Sequence, residues 1–443
     1  MKLKTNFLLT LLSAALMTAF SVTKLSAQET QEEPIDTIAR AIHKLQDDLG
    51  ALKKLKISGY IQANFQYADS MGQPSFQGGN FPANTDKRFA VRRGRIKFVY
   101  DNVLTQYVLQ FQAGETGVFM KEGYVKFTEP WLKAFSFQMG IFDVPFGHEA
   151  PNSSSAMESP ERGRMSQTLF PDENDLGGMI TFQMPKTSPL NFLKIEAGMF
   201  NGTQAKVSDF DYQKDFIGRI SILKANKSEK IKFGVGASYY NGGVRNGRKN
   251  VYTMDVDGGG LASFKANTDT LNYGKIAQRQ YIGADAQVYI DFPFGITTLK
   301  AEYIQGVQPG TSGTLKSPSA QPTTDTYLRN FNGAYFYFIQ NIGQSKHQII
   351  AKYDWFDPNT KVAGDDLGKA ITVPSGTTFA KTGVTDIKFT TIGLGYAYKW
   401  DNNVKITLWY DMVTNETSKN LTSKGYWKDI PDNVFTLRFQ YKF

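Results

Sequence analysis

From Lys56 to Phe443 hydrophobic and polar positions alternate with a period of two, in segments of about ten residues separated by clusters of Gly, Asn, Asp and Ser. The first, "KISGYIQANFQYAD", puts Ile57, Ile61, Ala63, Phe65 and Tyr67 on one face and Ser58, Gln62, Asn64 and Gln66 on the other. "LTQYVLQFQAG", "KAFSFQMGIF", "RQYIGADAQVYIDF", "TIGLGYAYKW" and "VFTLRFQYKF" repeat the pattern. About ten residues is the length a tilted strand needs to cross a bilayer, and aromatic residues gather at the segment ends as interfacial girdles do. The expected fold is all-β: a transmembrane antiparallel β-barrel of about 16 strands over residues 57–443, with "DNN" and "GQS" as short periplasmic turns and the stretches 241–277 and 357–386 as outer loops. A soluble sandwich would also alternate, but the segment length and the end aromatics favour the membrane.

Before Lys56 the period changes. Ile35, Ile38, Ile42, Leu45, Leu49 and Leu52 recur in steps of three and four, the seam of a short periplasmic coiled coil over residues 28–56, with an amphipathic helix lying on the rest of the protein as the alternative. Isoleucine in such a seam leans toward three chains, so a homotrimer is the working expectation. Residues 1–27 open with lysines, continue with an apolar run too short to span a bilayer permanently and end in small residues, the form of a cleaved signal peptide. Export to the outer membrane of a Gram-negative bacterium follows.

Composition sharpens this. The chain has 443 residues, no cysteine and a formal net charge of +9. Lys2, Lys4 and Lys24 leave with the signal and no acid does, so the mature chain stays basic at +6. A basic exported protein suits small anionic solutes, not nucleic acid. The three histidines lack Cys or paired carboxylates at ligand spacing, so no metal or other cofactor is expected. No nucleophile elbow or phosphate-binding glycine loop occurs. His148 beside Ser153 to Ser155 is the one neighbourhood that suggests an outer-membrane hydrolase, and an adhesin would need a plugged lumen.

The densest charge lies in "DKRFAVRRGRIKFVYDN", a strand by its β-branched and aromatic content. Arg93, Arg95 and Lys97 share a face, whereas Arg88 and Arg92 have the opposite parity. The shift of apolar phase from Phe89 and Val91 to Ile96, Phe98 and Tyr100 calls for a bulge that brings all five to the lumen. Facing lipid, each guanidinium would cost a few kcal/mol, about 2–4 at mid-depth. In the lumen they would form a ladder passing an anion from one cation to the next. Further lumen candidates are Arg219, Arg279, Lys300, Lys352 and Arg438, each also suited to a wall salt bridge. Lys121 and Lys126 are opposite in parity, so only one lines the lumen unless their strand bulges.

"RFAVRRGRIKF", "KEGYVKF", "FQMGIFDVPFGHE" and "SPERGR" together resemble the phosphate-selective porin O and P family, most specifically from Arg88 to Arg164. The resemblance implies a trimeric sixteen-stranded barrel, arginines leading down the pore and an inward constriction loop, here residues 143–175. Family lysines that bind the anion correspond to Ala150 and Ser155, and the loop holds no lysine. His148, Ser153, Ser154, Ser155, Arg162 and Arg164 remain as loop candidates, with a salt bridge from Arg162 to Glu149 or Glu158 as the structural alternative. The alternating C-terminal strand ending in Phe443 resembles the signal read by the barrel assembly machinery. Passive diffusion of phosphate or other oxyanions is the expected function, with a general, low-selectivity porin as the alternative.

Overall fold

A computed structural model describes Arg40, residues 42–44, Gly50 and residues 53–443 except 116, 206 and 207. The chain divides into two units, Met1–Lys53 and Lys54–Phe443. In the first, Arg40, Ile42, His43, Lys44, Gly50 and Lys53 are helical, and Ile42 is exposed. The expected signal peptide and the rest of the coiled-coil seam lie outside the described residues.

The second unit is the barrel. Its wall runs through β1 (Leu55–Ala68), β2 (Lys87–Asn102), β3 (Thr105–Gly114), β4 (Gly117–Thr128), β5 (Phe135–Asp143), β6 (Asn174–Gln183), β7 (Leu193–Phe200), β8 (Asp215–Ala225) and β9 (Ile231–Arg245). After a hairpin of β10 (Val251–Val256) and β11 (Ala262–Asn267), the wall resumes with β12 (Ile276–Phe292), β13 (Gly295–Gly310), β14 (Thr326–Asn341) and β15 (His347–Asp357). The two-residue β16 (Phe379–Ala380) precedes β17 (Phe389–Lys399), β18 (Val404–Asn415) and β19 (Val434–Lys442). Sixteen strands form the wall, because β10, β11 and β16 pair with one another and with the end of β14. Wall neighbours are antiparallel and β1 pairs with both β2 and β19, so the sheet closes without an edge.

The last residue extends the closing β1–β19 ladder by one step. The Phe443 and Gly59 backbones exchange N–H···O bonds of 3.1 and 3.0 Å. A Cβ on Gly59 would stand 2.7 Å from the Phe443 ring, so only glycine lets the C-terminal aromatic seal this seam.

The alternation sorts side chains by solvent. On β1, Ile57 and Ile61 are 52% and 47% exposed on the outer face, while Gln62 and Gln66 are 0% and 1% exposed on the inner one. Phe89, Met139, Ile180, Leu394 and Phe439 extend the outer apolar surface around the barrel. Such a continuous apolar exterior over a polar interior fits bilayer outside and water inside. The turns at 342–346 and 400–403 are short, whereas the 241–277 stretch carries the β10–β11 hairpin.

Candidate functional site

The site starts at a bulge. Between β1 and β2 the register runs Gln62↔Arg93 and then Ala63↔Val91, which leaves Arg92 as an extra residue. Strand parity reverses there. Arg88 therefore pairs with inward Gln66, Arg93 with inward Gln62, Arg95 with Tyr60 and Lys97 with Ser58, so the basic residues on both sides of the bulge share the lumen face. β4 does the same: Gln110↔Glu122 is followed by Phe111↔Met120, and Lys121 is bulged. Lys121 and Lys126 thus both reach the interior, the case that their opposite parity allows only on a bulged strand.

Residues 144–173, between β5 and β6, fold against the inner wall, and the corner that turns them is built on glycine. Gly147 has φ +65°, and a Cβ there would overlap the Glu302 carboxylate. Its N–H donates to Ser238 Oγ at 3.0 Å, and the N–H groups of His148 and Glu149 donate to Glu302 at 3.0 and 2.9 Å. Beside the corner, Phe146 and Phe170 pack edge-on to Tyr281, which in turn meets Phe331. From there the loop follows the wall. Ser154 shares a 2.5 Å hydrogen bond with Tyr60, Lys300 pairs with Glu158 at 2.7 Å, and Ser159 bonds Tyr337 at 2.7 Å.

Glu161 is the centre of this attachment. Its carboxylate, 3% exposed, receives Arg92 at 2.9 Å, Arg93 at 2.7 Å and Arg438 at 2.8 Å. Burial alone would raise its carboxyl, but the three guanidiniums hold it well below the usual range. A second anchor is Glu173, shared by Lys121 and Arg162. Arg162 also donates to the Glu149 and Asn152 carbonyls, so its carboxylate partner is Glu173 and not Glu149 or Glu158 as expected from sequence.

These contacts revise the ladder. Arg92 and Arg93 hold the loop, Lys97 pairs with Glu122 at 2.6 Å, and Arg88 is spent on Gln66 and the carbonyls of Gln77, Gly79 and Asn80. Arg95 differs: its hydrogen-bond partner is the neutral Gln112 at 2.7 Å, and among the described residues no carboxylate forms an ion pair with it. Other lumen candidates are paired structurally. Arg279 is buried on Asp215 at 2.6 Å, Lys352 on Asp354 at 2.5 Å, and Arg219 meets Asp285 at 2.5 Å. Arg164 lies between the rings of Phe76 and Phe389 with Asp432 at 4.0 Å, a packing role in place of the expected pore-facing one.

The loop leaves space on the side of β2 to β8. A cavity of about 200 Å³ is lined by Arg95, Lys97, Lys121, Arg162, Ser153 and Ser155, with Glu122, Asp143 and Glu173. A second of about 410 Å³ adds His148, Lys194, Glu196 and Arg219, and the two share Lys97, Glu122, Asp143 and Asn152. Including Lys442, seven cations and four carboxylates line them together. Lys194 was missed in the sequence because its segment carries no other base. Glu161 was legible only as part of "SPERGR", where nothing shows that three arginines distant in sequence converge on it.

His148 Nε2 is buried without a hydrogen-bond partner, while Ser153 and Ser155 bond to each other at 3.2 Å and Ser154 to Tyr60. Burial, reinforced by Lys300, pushes the imidazole down from 6.5 to about 4. The folded chain then binds fewer protons than the unfolded chain between these values, so this residue's contribution to stability is lost as pH falls from 6.5 through about 4. Ion selectivity should show no step from His148 between about pH 5 and 8. Reversal potentials of wild type and His148→Ala across that range check this; a step near 6.5 removed by the substitution would contradict it.

The solved structure of a loop-deletion mutant of OmpT, an outer membrane protein of Vibrio cholerae, superposes with a TM-score of 0.50 at 9% identity, covering 88% of this chain and 99% of that one, which shows the barrel fold alone. An anion-selective porin from Comamonas acidovorans reaches a TM-score of 0.48 at 11% identity, with 88% and 99% coverage. The outer membrane channel DcaP of Acinetobacter baumannii reaches 0.47 at 10%, with 88% and 97% coverage. No curated protein matches the chain. The model of the family "phosphate-selective porin O and P" matches residues 84–443, spanning the bulged basic strand, the glycine corner, the Glu161 segment and the closing strand, and the chain therefore belongs to this family of outer-membrane porins.

Proposed function

We propose that the barrel is a passive diffusion pore for small anions, phosphate or other oxyanions, which cross between the 143–175 loop and the wall of β2 to β8. The observation that carries this reading is the charge of that gap: seven cations against four lining carboxylates, an excess of cations that remains when Arg219 is set against Asp285 behind it, with Arg95 in no ion pair among the described residues. Several weak cationic contacts in series admit an anion and still release it. Ser153 and Ser155 add hydroxyl donors at the same narrow place. Titrating phosphate into a chloride-conducting bilayer tests specificity. Block at millimolar phosphate supports an oxyanion site; chloride current indifferent to phosphate leaves a general anion pore.

The engagement of Arg92, Arg93 and Arg438 on the single Glu161 carboxylate favours a second reading, a porin of low selectivity whose basic strand serves mainly to seat the loop. The two readings differ in whether Arg95 governs ion preference.

A homotrimer with a short periplasmic coiled coil, exported through a cleaved signal peptide and inserted by the barrel assembly machinery, completes the proposal. Deleting residues 28–52 should leave an inserted barrel but a weaker oligomer, read as a lower dissociation temperature on native gels. An unchanged trimer would make the helix a bystander.

A further inference from the structure

We propose that the groove at the long-loop end of the barrel, between the β9–β10 link, the β11–β12 link and the β13–β14 loop, binds an acidic saccharide, one bearing phosphate, sulfate or carboxylate. The groove encloses about 710 Å³ and is lined by Arg245, Arg248, Lys249, Tyr273, Gln321 and Pro322, with no residue in common with the two pore cavities.

Its cations are not ion-paired. Among the described residues none of Arg245, Arg248 and Lys249 forms an ion pair, although most lumen cations do. Arg248 donates one bond, to the Thr323 carbonyl at 2.8 Å, and the Arg245 guanidinium stands 5.8 Å from the centre of the Tyr273 ring. The nearby acids bond neutral donors and not these side chains: Asp211 accepts the Arg245 backbone N–H at 3.2 Å, and Asp325 accepts from Asn250 at 3.2 Å. Guanidiniums in this state keep forked donors for an oxyanion.

The groove is also built. Gly274 N–H donates to the Asn246 carbonyl at 3.0 Å, Asn246 N–H to Lys275 at 2.8 Å, and Asn272 Nδ2 to Lys249 at 3.1 Å, so the two links flanking the hairpin are cross-bonded. Gly247 sits so close to the Pro322 carbonyl that a Cβ would overlap it, which locks the third loop alongside. Gln321 donates to the Arg245 carbonyl at 3.0 Å, which ties the third loop to the end of β9.

The class of ligand follows from the mixture. Free cations alone would take any anion; exposed Tyr273, which lines the groove with Pro322, adds an apolar platform suited to the C–H face of a sugar ring. Two sources carry this chemistry: a soluble acidic saccharide, and the acidic saccharide head group of a lipid in the surrounding leaflet.

The test uses the full-length protein in detergent and titration calorimetry with a disaccharide carrying one carboxylate and one sulfate, against a neutral disaccharide and inorganic sulfate. The wild type should bind the acidic disaccharide and not the neutral one, and any sulfate binding should be that of the pore, reduced in Arg95→Gln and kept in Arg245→Gln/Arg248→Gln. Binding should weaken about tenfold in Arg245→Gln/Arg248→Gln and severalfold in Tyr273→Ala, and be unchanged in Arg95→Gln. Binding by vesicles bearing an acidic glycolipid, but not by the soluble disaccharide, with the same dependence on these variants, assigns the site to a lipid head group. Sulfate binding as well as the disaccharide that is lost in Arg245→Gln/Arg248→Gln, or indifference to Tyr273→Ala in both arms, overturns the proposal. Chloride conductance of the double variant should match wild type, so a failure here is distinguishable from a failure of the anion-pore reading.

Discussion

Glu161→Gln is expected to unseat the loop and enlarge the pore. The carboxylate is buried and gathers Arg92, Arg93 and Arg438, so removing its charge leaves three guanidiniums facing one another. Removing one partner from a buried ionic network typically costs about 3–5 kcal/mol. The barrel itself is held by its closed hydrogen-bonded ladder, so the cost should fall on the loop. Single-channel recordings should show higher and noisier conductance together with a stronger anion preference, because the released arginines then face the solute path. Glu161→Asp, which keeps the charge on a shorter arm, should recover part of the quiet state. Wild-type conductance and noise in Glu161→Gln would mean that the remaining attachments, Lys300 to Glu158 and the Glu302 corner, suffice to hold the loop.

Arg95→Ala should produce the largest loss of anion preference. A unit charge about 4 Å from the path of an ion is worth about 1–4 kcal/mol, depending on how much water surrounds it. The anion-to-cation permeability ratio should thus fall by about tenfold, and by less at high salt, where charges are screened beyond a few ångströms. Arg438→Ala should do far less, since its guanidinium is already committed to Glu161, Asn64 and the Pro160 carbonyl. Equal effects of the two substitutions, measured as reversal potentials, would mean that selectivity is spread over the whole wall.

The wall was legible in the sequence because a barrel solvated differently on its two faces imposes strict period-two alternation. Even the β2 bulge could be read, since the apolar residues change parity between Val91 and Ile96 and lipid admits no arginine. The β4 bulge was not, because Glu122, Gly123 and Met120 give no comparable apolar signature. Partners of the basic residues were also hidden. Glu161 and Glu173 lie in an irregular loop, where no periodicity fixes direction, and their contacts with Arg93, Arg438 and Lys121 span large sequence separations. A ladder of independent cations was the natural expectation; the folded chain spends part of it on holding the loop. Arg164 illustrates the same limit, as an arginine beside "SPE" looks available until Phe76 and Phe389 close over it.

The most direct measurement is the reversal potential of the purified protein in planar bilayers under a potassium chloride gradient. A pore whose gap carries an excess of cations gives a potential near the chloride equilibrium value. A potential near that of potassium, or a bilayer that stays silent with inserted protein, would contradict an anion-favouring pore between the loop and the wall of β2 to β8.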